Sequence, residues 1–171
     1  VVSVPADAAG KRVRLEIDGA MSRSQVYCNG TLVGEWPYGY TSFAFDLTDV
    51  VTPGEDNTIA IRLENKKYSS RWYPGAGLYR HVRLVYLDPV HIAHWGTTLT
   101  TPEITPQQGI INLKTLVENH AAVAGVTLRT EIKDASGKIV ATTESTQAEG
   151  TTEFEQDLAV PHPTLWMPGT P

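Results

Sequence analysis

The chain has 171 residues, of which 41% are hydrophobic and 19% charged, enough for one large domain or two small ones. A formal net charge of -5 excludes the basic surface that a nucleic-acid partner requires, and no apolar run is long enough to span a bilayer. Cys28 is the only cysteine, which excludes an internal disulfide and a cysteine-based zinc cluster.

Apolar and polar residues alternate with period two along the first half of the chain, as in Val13-Arg14-Leu15-Glu16-Ile17. This pattern is typical of antiparallel strands with one buried and one solvated face. Strands are predicted near 11–18, 24–28, 31–35, 42–47, 57–64 and 78–87. Asn29-Gly30 predicts a tight hairpin turn, because both central residues of a type I′ turn need positive φ.

The same alternation continues in the second half, with turn residues between the apolar runs. Further strands are predicted near 90–100, 110–119, 124–133, 138–146 and 151–160. No segment has the periodicity of an amphipathic helix, so the predicted class is all-β. Composition changes at Asp88-Pro89. We therefore predict two domains: a partial jelly-roll sandwich over 1–88 and an immunoglobulin-like sandwich over 89–171.

Acidic pairs offer no catalytic site in this sequence. Glu16 and Asp18 share a strand face at period two and alternate with apolar residues, which favours a solvated face over a catalytic pair. His91 and His94 are three residues apart in a predicted strand, so their side chains point to opposite faces. We expect neither a catalytic residue nor a metal site or cofactor here.

Aromatic residues in two turns are the stronger functional signal. The run "SSRWYPGAGLYRHV", residues 69–82, places Arg71, Trp72 and Tyr73 beside a Pro-Gly-Ala-Gly turn. An aromatic face packs against the C–H groups of a sugar, and an arginine donates to its hydroxyls. A second aromatic turn, "EWPYGY", contributes Trp36 and Tyr38 as interface or core candidates.

Three runs in this order, "VYCNGTLVGEWPYGYTSFAFDLTDVV", "PGEDNTIAIRLEN" and "SSRWYPGAGLYRHVRLV", resemble glycoside hydrolase family 2, and most closely bacterial β-galactosidases. "PVHIAHWGTTLTTPEI" and "LWMPGTP" resemble the sandwich domain that follows in this family. The resemblance covers nearly the whole chain. It implies a retaining glycosidase whose catalytic barrel, with both carboxylates, lies outside these residues, together with some strands of each sandwich.

Site and partner expectations follow from this resemblance. Ser70 and Arg71 would lie nearest the sugar, with Trp72 and Tyr73 completing the lining of the pocket. Trp36, Tyr38 and Tyr79 would face the barrel. The expected partners are a β-galactoside or related glycan, the enzyme's own catalytic barrel, and a second copy paired through open sheet edges. A periplasmic or extracellular location would suit a bacterial glycan-degrading enzyme.

Two alternatives remain at this point. A stand-alone carbohydrate-binding module would use Trp72, Tyr73 and Trp36 as a stacking platform, and a scaffold module would bind no ligand.

Arg80 is expected to pair with a carboxylate such as Glu64, because charged residues in strands are normally paired or solvated.

Overall fold

The structure is a computed structural model that describes residues 1–68, 71–72, 75–147 and 152–169. Within these ranges the chain forms β-strands and one 3-10 turn, Ala6–Ala8, which confirms the predicted all-β class. No described helix could cross a membrane. The chain divides into two compact units, Val1–Pro89 and Val90–Pro171.

The first unit is built on two three-stranded antiparallel sheets, β10-β2-β6 and β5-β4-β8, with the short pairs β1-β7 and β3-β9 beside them. Its strands are β1 (Val2–Ser3), β2 (Arg12–Ile17), β3 (Ala20–Met21), β4 (Ser24–Cys28), β5 (Thr31–Trp36), β6 (Phe43–Asp46), β7 (Asp56–Asn57), β8 (Ile59–Arg62), β9 (Gly77–Leu78) and β10 (Val82–Leu87).

The alternating residues of these strands form the core of the first unit. Val13, Leu15 and Ile17 of β2 are at most 2% exposed and pack with Val26 and Cys28 of β4. Burial raises the pKa of the Cys28 thiol, which suits a small core residue rather than a reactive one. The period-two pattern therefore predicted the inward faces correctly.

The turns of the first unit also follow their sequence signals. Asn29 and Gly30 both have positive φ, 49° and 84°, as the predicted hairpin requires. Buried Asn57 anchors the connection at 52–57, because its side chain accepts a hydrogen bond from the Thr52 amide and donates to the Thr52 and Glu55 carbonyls.

The second unit contains a three-stranded sheet, β11-β12-β15, and a two-stranded sheet, β13-β14, all antiparallel. Its strands are β11 (Val90–Ile104), β12 (Gln108–Asn119), β13 (Thr127–Lys133), β14 (Ile139–Thr146) and β15 (Glu153–Pro161). Their bounds lie within a few residues of the predicted ones. The jelly-roll and immunoglobulin-like topologies stay predictions.

A buried glutamine links the two sheets of the second unit. Gln156 of β15 accepts a hydrogen bond from the Thr130 hydroxyl at 2.7 Å. It donates to the Leu128 carbonyl at 3.1 Å and to the Ser145 hydroxyl at 2.7 Å. Every polar group of this amide is therefore used, as burial requires.

Candidate functional site

Two turns of the first unit bring aromatic side chains together. The first aromatic turn, residues 37–42, follows β5. The second aromatic turn is the name used here for the described residues 66–68, 71–72 and 75–79, which come between β8 and β10 in the chain. Gly39 lets the first turn lie directly on Met21: a Cβ at this position would be 2.5 Å from the Met21 sulfur and 3.2 Å from its Cα. A larger residue would push the turn away from the sandwich.

A hydrogen bond joins the two turns at their exposed rings. The Trp72 indole N–H donates to the Tyr40 hydroxyl at 3.0 Å. The Tyr38 and Tyr40 rings meet edge to face, with centroids 5.5 Å apart. Tyr38, Tyr40 and Trp72, here called the aromatic cluster, are 56%, 41% and 61% exposed. Three large rings held in place yet open to solvent form a surface suited to binding, because aromatic burial supplies much of the energy of interfaces and ligand pockets.

Tyr79 fastens the second turn to the first. Its hydroxyl donates to the Gly39 carbonyl at 2.7 Å, and its ring lies over Gly19, where a Cβ would be 2.7 Å from the ring. The Arg80 guanidinium lies 5.4 Å from the centre of the Tyr79 ring, a cation–π contact. Tyr79 remains about half exposed.

The expected pair between Arg80 and Glu64 is wrong. Glu64 pairs instead with Arg23, at 3.6 Å, and with Lys66, at 3.9 Å. Arg80 lies in the bend before β10 rather than within a strand, so strand register does not place it beside Glu64.

Trp36 is half-buried at the end of β5. One face of its indole stacks on Phe43 with centroids 5.6 Å apart, and its N–H donates to the Thr41 hydroxyl at 3.1 Å. This side chain therefore belongs to the edge of the core as well as to the surface. Sequence reasoning named Trp36 and Tyr38 but missed Tyr40, although all three alternate in the same short run.

The remaining predicted lining residues divide into described and undescribed ones. Arg71 is exposed in the second aromatic turn, next to Trp72. Ser70 and Tyr73 lie outside the described residues. The structure thus brings Trp72 together with Tyr38 and Tyr40, uniting residues that the sequence analysis had assigned separately to substrate and to interface.

A polar groove of about 450 Å³ lies at one end of the β5-β4-β8 sheet. The residues that line it come from three strands and the segments beside them: Arg23, Ser24, Gln25, Glu35, Trp36, Pro37, Arg62 and Glu64. The sequence analysis missed this groove. The only available signal was the polar position of Gln25, Glu35 and Arg62 on the solvated face of alternating strands.

The acidic residues and histidines considered in the sequence analysis form ion pairs and ring contacts with neighbouring side chains. Arg14 pairs with Glu16 at 2.9 Å, and Arg83 pairs with Asp18 at 2.7 Å. His91 contacts Glu118 at 3.3 Å. His94 stacks on Trp95 with ring centroids 4.4 Å apart. Among the described residues, no group of three or more His, Cys, Asp or Glu side chains is arranged to hold a metal ion.

Comparison with known families and proteins gives a consistent result. Residues 90–171 match the model of the family described as Glycosyl hydrolases family 2. Beta-galactosidase BoGH2A of Bacteroides ovatus is 41% identical over 174 residues, covering 99% of this chain and 20% of that protein. A putative beta-glucuronidase of Formosa agariphila is 35% identical over 162 residues, covering 94% of this chain and 15% of that protein.

Solved structures agree over both units. A glycosyl hydrolase family 2 member from Bacteroides cellulosilyticus superposes with a TM-score of 0.94 at 33% identity, covering 99% of this chain and 22% of the other. A beta-glucuronidase from glycoside hydrolase family 2 superposes with a TM-score of 0.89 at 28% identity, covering 96% of this chain and 20% of the other. The chain belongs to glycosyl hydrolase family 2 and spans about a fifth of the length of these relatives.

Proposed function

We propose that this chain is the accessory β-sandwich region of a retaining family 2 glycosidase, bracing a catalytic barrel and lending the second aromatic turn to its pocket. The observation that carries this proposal is the aromatic cluster. Tyr38, Tyr40 and Trp72 are exposed, yet the Trp72–Tyr40 hydrogen bond holds the two turns together. An ordered and uncovered set of rings is suited to a sugar or to a domain that presents one.

The chemistry itself is assigned to the barrel. Retaining glycosidases use two carboxyl groups about 5 Å apart, one as nucleophile and one as acid/base. Neither of these two carboxyl groups belongs to this chain in the proposed arrangement. In this scheme Arg71 and Trp72, with Ser70 and Tyr73 beside them in sequence, line the pocket, and Tyr38, Tyr79 and the exposed side of Trp36 meet the barrel.

A β-galactoside is the first proposed substrate, because the relative that is 41% identical is named a beta-galactosidase. A β-glucuronide is the second. The 35% identical Formosa agariphila relative and a solved structure at 28% identity both carry the name beta-glucuronidase. The two sugars differ at C6, which is a hydroxymethyl group in a galactoside and a carboxylate in a glucuronide, and in the configuration at C4, so recognition of these two positions decides between them.

The test uses these 171 residues joined to their catalytic domain, with p-nitrophenyl β-galactoside and β-glucuronide as substrates. We expect Trp72→Ala to lower kcat/KM for the better substrate by about tenfold or more, since a misplaced pocket wall costs transition-state binding. Trp95→Ala, an exposed tryptophan of the second unit, is the matched control and should leave kcat/KM unchanged.

Equal rates in wild type and Trp72→Ala would remove the pocket role of the second aromatic turn. If neither substrate is hydrolysed, both proposed specificities are overturned. A preference for the β-glucuronide would select the second candidate over the first.

A further inference from the structure

We infer that Asn29 is a site of spontaneous deamidation that the fold of the first unit keeps closed. When the hairpin turn opens, the side-chain amide of Asn29 is converted to a carboxylate, and the bonds that held the amide cannot form again. This inference goes beyond the proposed function and does not rest on it, because the chemistry needs only this chain and water.

The sequence at the turn favours this reaction. Asn29-Gly30 is the only Asn-Gly pair among the asparagines of the chain. Asparagine is a thermolabile residue, and its deamidation begins when the backbone nitrogen of the next residue attacks its Cγ. Glycine has no side chain to shield that nitrogen. A Cβ placed on Gly30 would meet nothing within 4 Å, so the surroundings of the turn are open as well.

The reaction consumes water and releases ammonia. A bond forms between the Gly30 nitrogen and the Asn29 Cγ, while the bond from Cγ to Nδ2 breaks. The Gly30 amide proton passes to solvent, and the leaving nitrogen takes up a proton from water and departs as ammonia. Water then opens the cyclic imide at either carbonyl. One product is aspartate, and the other is isoaspartate, whose backbone runs through the side chain.

In the folded chain three hydrogen bonds hold the Asn29 side chain. Its NH2 group donates to the Val50 carbonyl and to the Asn57 side-chain oxygen, both at 2.8 Å. Its side-chain oxygen accepts from the Thr58 amide at 2.9 Å. Both donors and the acceptor are therefore used. Attack on Cγ makes this atom tetrahedral and moves Nδ2 and Oδ1, so these bonds must break for the reaction to proceed.

Hydrogen bonds rather than burial provide the protection. Asn29 and Gly30 are both exposed, so water reaches the turn in the folded state. The Asn29 backbone amide also donates to the Thr58 carbonyl at 2.8 Å, which ties the turn to the segment beside it. The rate of deamidation should therefore follow local opening of the turn.

The product does not fit the place of the amide. An aspartate at this position has acceptor oxygens where the NH2 group of Asn29 donated to Val50 and Asn57. Oxygen would then face oxygen, and the buried Asn57 has no access to water that could replace the lost donor. Isoaspartate adds a backbone atom to the turn and disturbs the hairpin. Deamidation therefore weakens the closed turn.

The test is peptide mass mapping of the 171-residue chain, incubated folded and in guanidinium chloride at one mildly alkaline pH. In denaturant we expect Asn29 to deamidate faster than every other asparagine, because it alone precedes glycine. In the folded chain Asn29 should react at least about tenfold more slowly than in denaturant, since opening breaks three hydrogen bonds. Faster reaction at another asparagine in denaturant, or equal rates in the two states, would overturn the inference.

Two variants separate the local bonds from global stability. Asn57→Ala removes an acceptor of Asn29, whereas Leu15→Ala destabilises the same unit through a core side chain that makes none of these bonds. At denaturant concentrations that give both variants the same small unfolded fraction, Asn29 should react at least about threefold faster in Asn57→Ala. Equal rates would show that the reaction follows global unfolding, and the protective role of the bonds would be overturned.

Asn29→Asp reproduces one product and tests its effect. We expect its urea concentration at half-unfolding to fall by about 0.5 M or more. Thr31→Asp adds the same charge at an exposed position of β5 beside the turn, and should lower it less. Equal losses would mean that charge alone destabilises the turn, which would overturn the misfit of the product. None of these results bears on hydrolysis by the barrel-containing enzyme, so this inference and the proposed function fail separately.

Discussion

At the scale of single residues, Asn57 contributes strongly to the stability of the first unit. It is fully buried, and besides its bonds to Thr52 and Glu55 its side-chain oxygen accepts a hydrogen bond from the side-chain NH2 group of Asn29 at 2.8 Å. Asn57→Ala would take this partner from part-buried groups of Thr52, Glu55 and Asn29, at about 1–3 kcal/mol for the first such group. We expect a loss of about 3 kcal/mol in the free energy of unfolding, measured by urea denaturation.

The neighbouring Asp56 is exposed and serves as the matched control. Asp56→Ala should change the free energy of unfolding by about 0.5 kcal/mol or less. Similar losses in the two variants would show that the Asn57 hydrogen bonds do not stabilise the turn.

Asp46 makes the stability of the first unit depend on pH. Burial alone would raise the pKa of its carboxyl, but hydrogen bonds from Thr48 and the guanidinium of Arg12 outweigh burial and hold the pKa below its ordinary value of 3.8. A carboxyl whose pKa is lower in the folded state stabilises the fold above pH 3.8, and this contribution is lost as the pH falls through the folded-state pKa.

The urea concentration at half-unfolding should fall as the pH is lowered from about 5 to about 2. We expect it to fall less steeply in Asp46→Asn than in the wild-type chain. Asp49→Asn, at an exposed aspartate nearby, is the control and should retain the wild-type decline. An unchanged decline in Asp46→Asn would contradict the assignment.

At the scale of elements, Tyr79 couples the two aromatic turns. Tyr79→Phe keeps the ring over Gly19 but removes the hydroxyl that donates to the Gly39 carbonyl. A hydrogen bond of about 1 kcal/mol corresponds to about fivefold faster local opening. We expect faster amide hydrogen exchange across residues 37–42, measured by mass spectrometry.

Tyr68→Phe is the control, since Tyr68 is fully exposed in the second aromatic turn. It should leave exchange across residues 37–42 at the wild-type rate. Equal exchange in Tyr79→Phe and wild type would mean that the first turn is held without this bond.

Local periodicity accounts for much of the fold but not for its shortest elements. The alternation in β2, with Val13, Leu15 and Ile17 inward, is a local property and was predictable. The pairs β1-β7 and β3-β9 have two residues per strand, too few to show a period. They form because the surrounding sandwich brings distant segments together, so no local signal reveals them.

The site depended on long-range register that the sequence does not show. Trp72 and Tyr40 are 32 residues apart, and their contact results from the docking of two turns. In the groove, the hairpin turn aligns Cys28 with Thr31, and regular pairing from there would place Gln25 opposite Gly34. A bulge at Val33 of β5, between the pairs Tyr27–Leu32 and Val26–Gly34, shifts the register and puts Gln25 opposite Glu35 instead. One extra residue thus brings Gln25 and Glu35 together.

At the scale of the whole molecule, open sheet edges lead us to propose self-association. Among the described strands, β10 pairs only with β2, so its other edge is uncovered. An uncovered edge is a template for pairing with a second copy. We expect gel filtration with light scattering to show species larger than a monomer. Val82→Lys, which adds a charge at the exposed start of β10, should shift them toward the monomer.

A clean monomer for the wild-type chain at all concentrations would contradict this proposal. An unchanged distribution in Val82→Lys would show that association uses another surface than the β10 edge.

The central claim is that this region serves a family 2 glycosidase without carrying its chemistry. The most direct measurement is the release of p-nitrophenol from p-nitrophenyl β-galactoside and β-glucuronide by the folded 171-residue chain alone. We predict no rate above the buffer control, because both carboxylates of the retaining mechanism are assigned to the barrel. Turnover by this chain, abolished by substitution of one of its own acidic residues, would contradict the account.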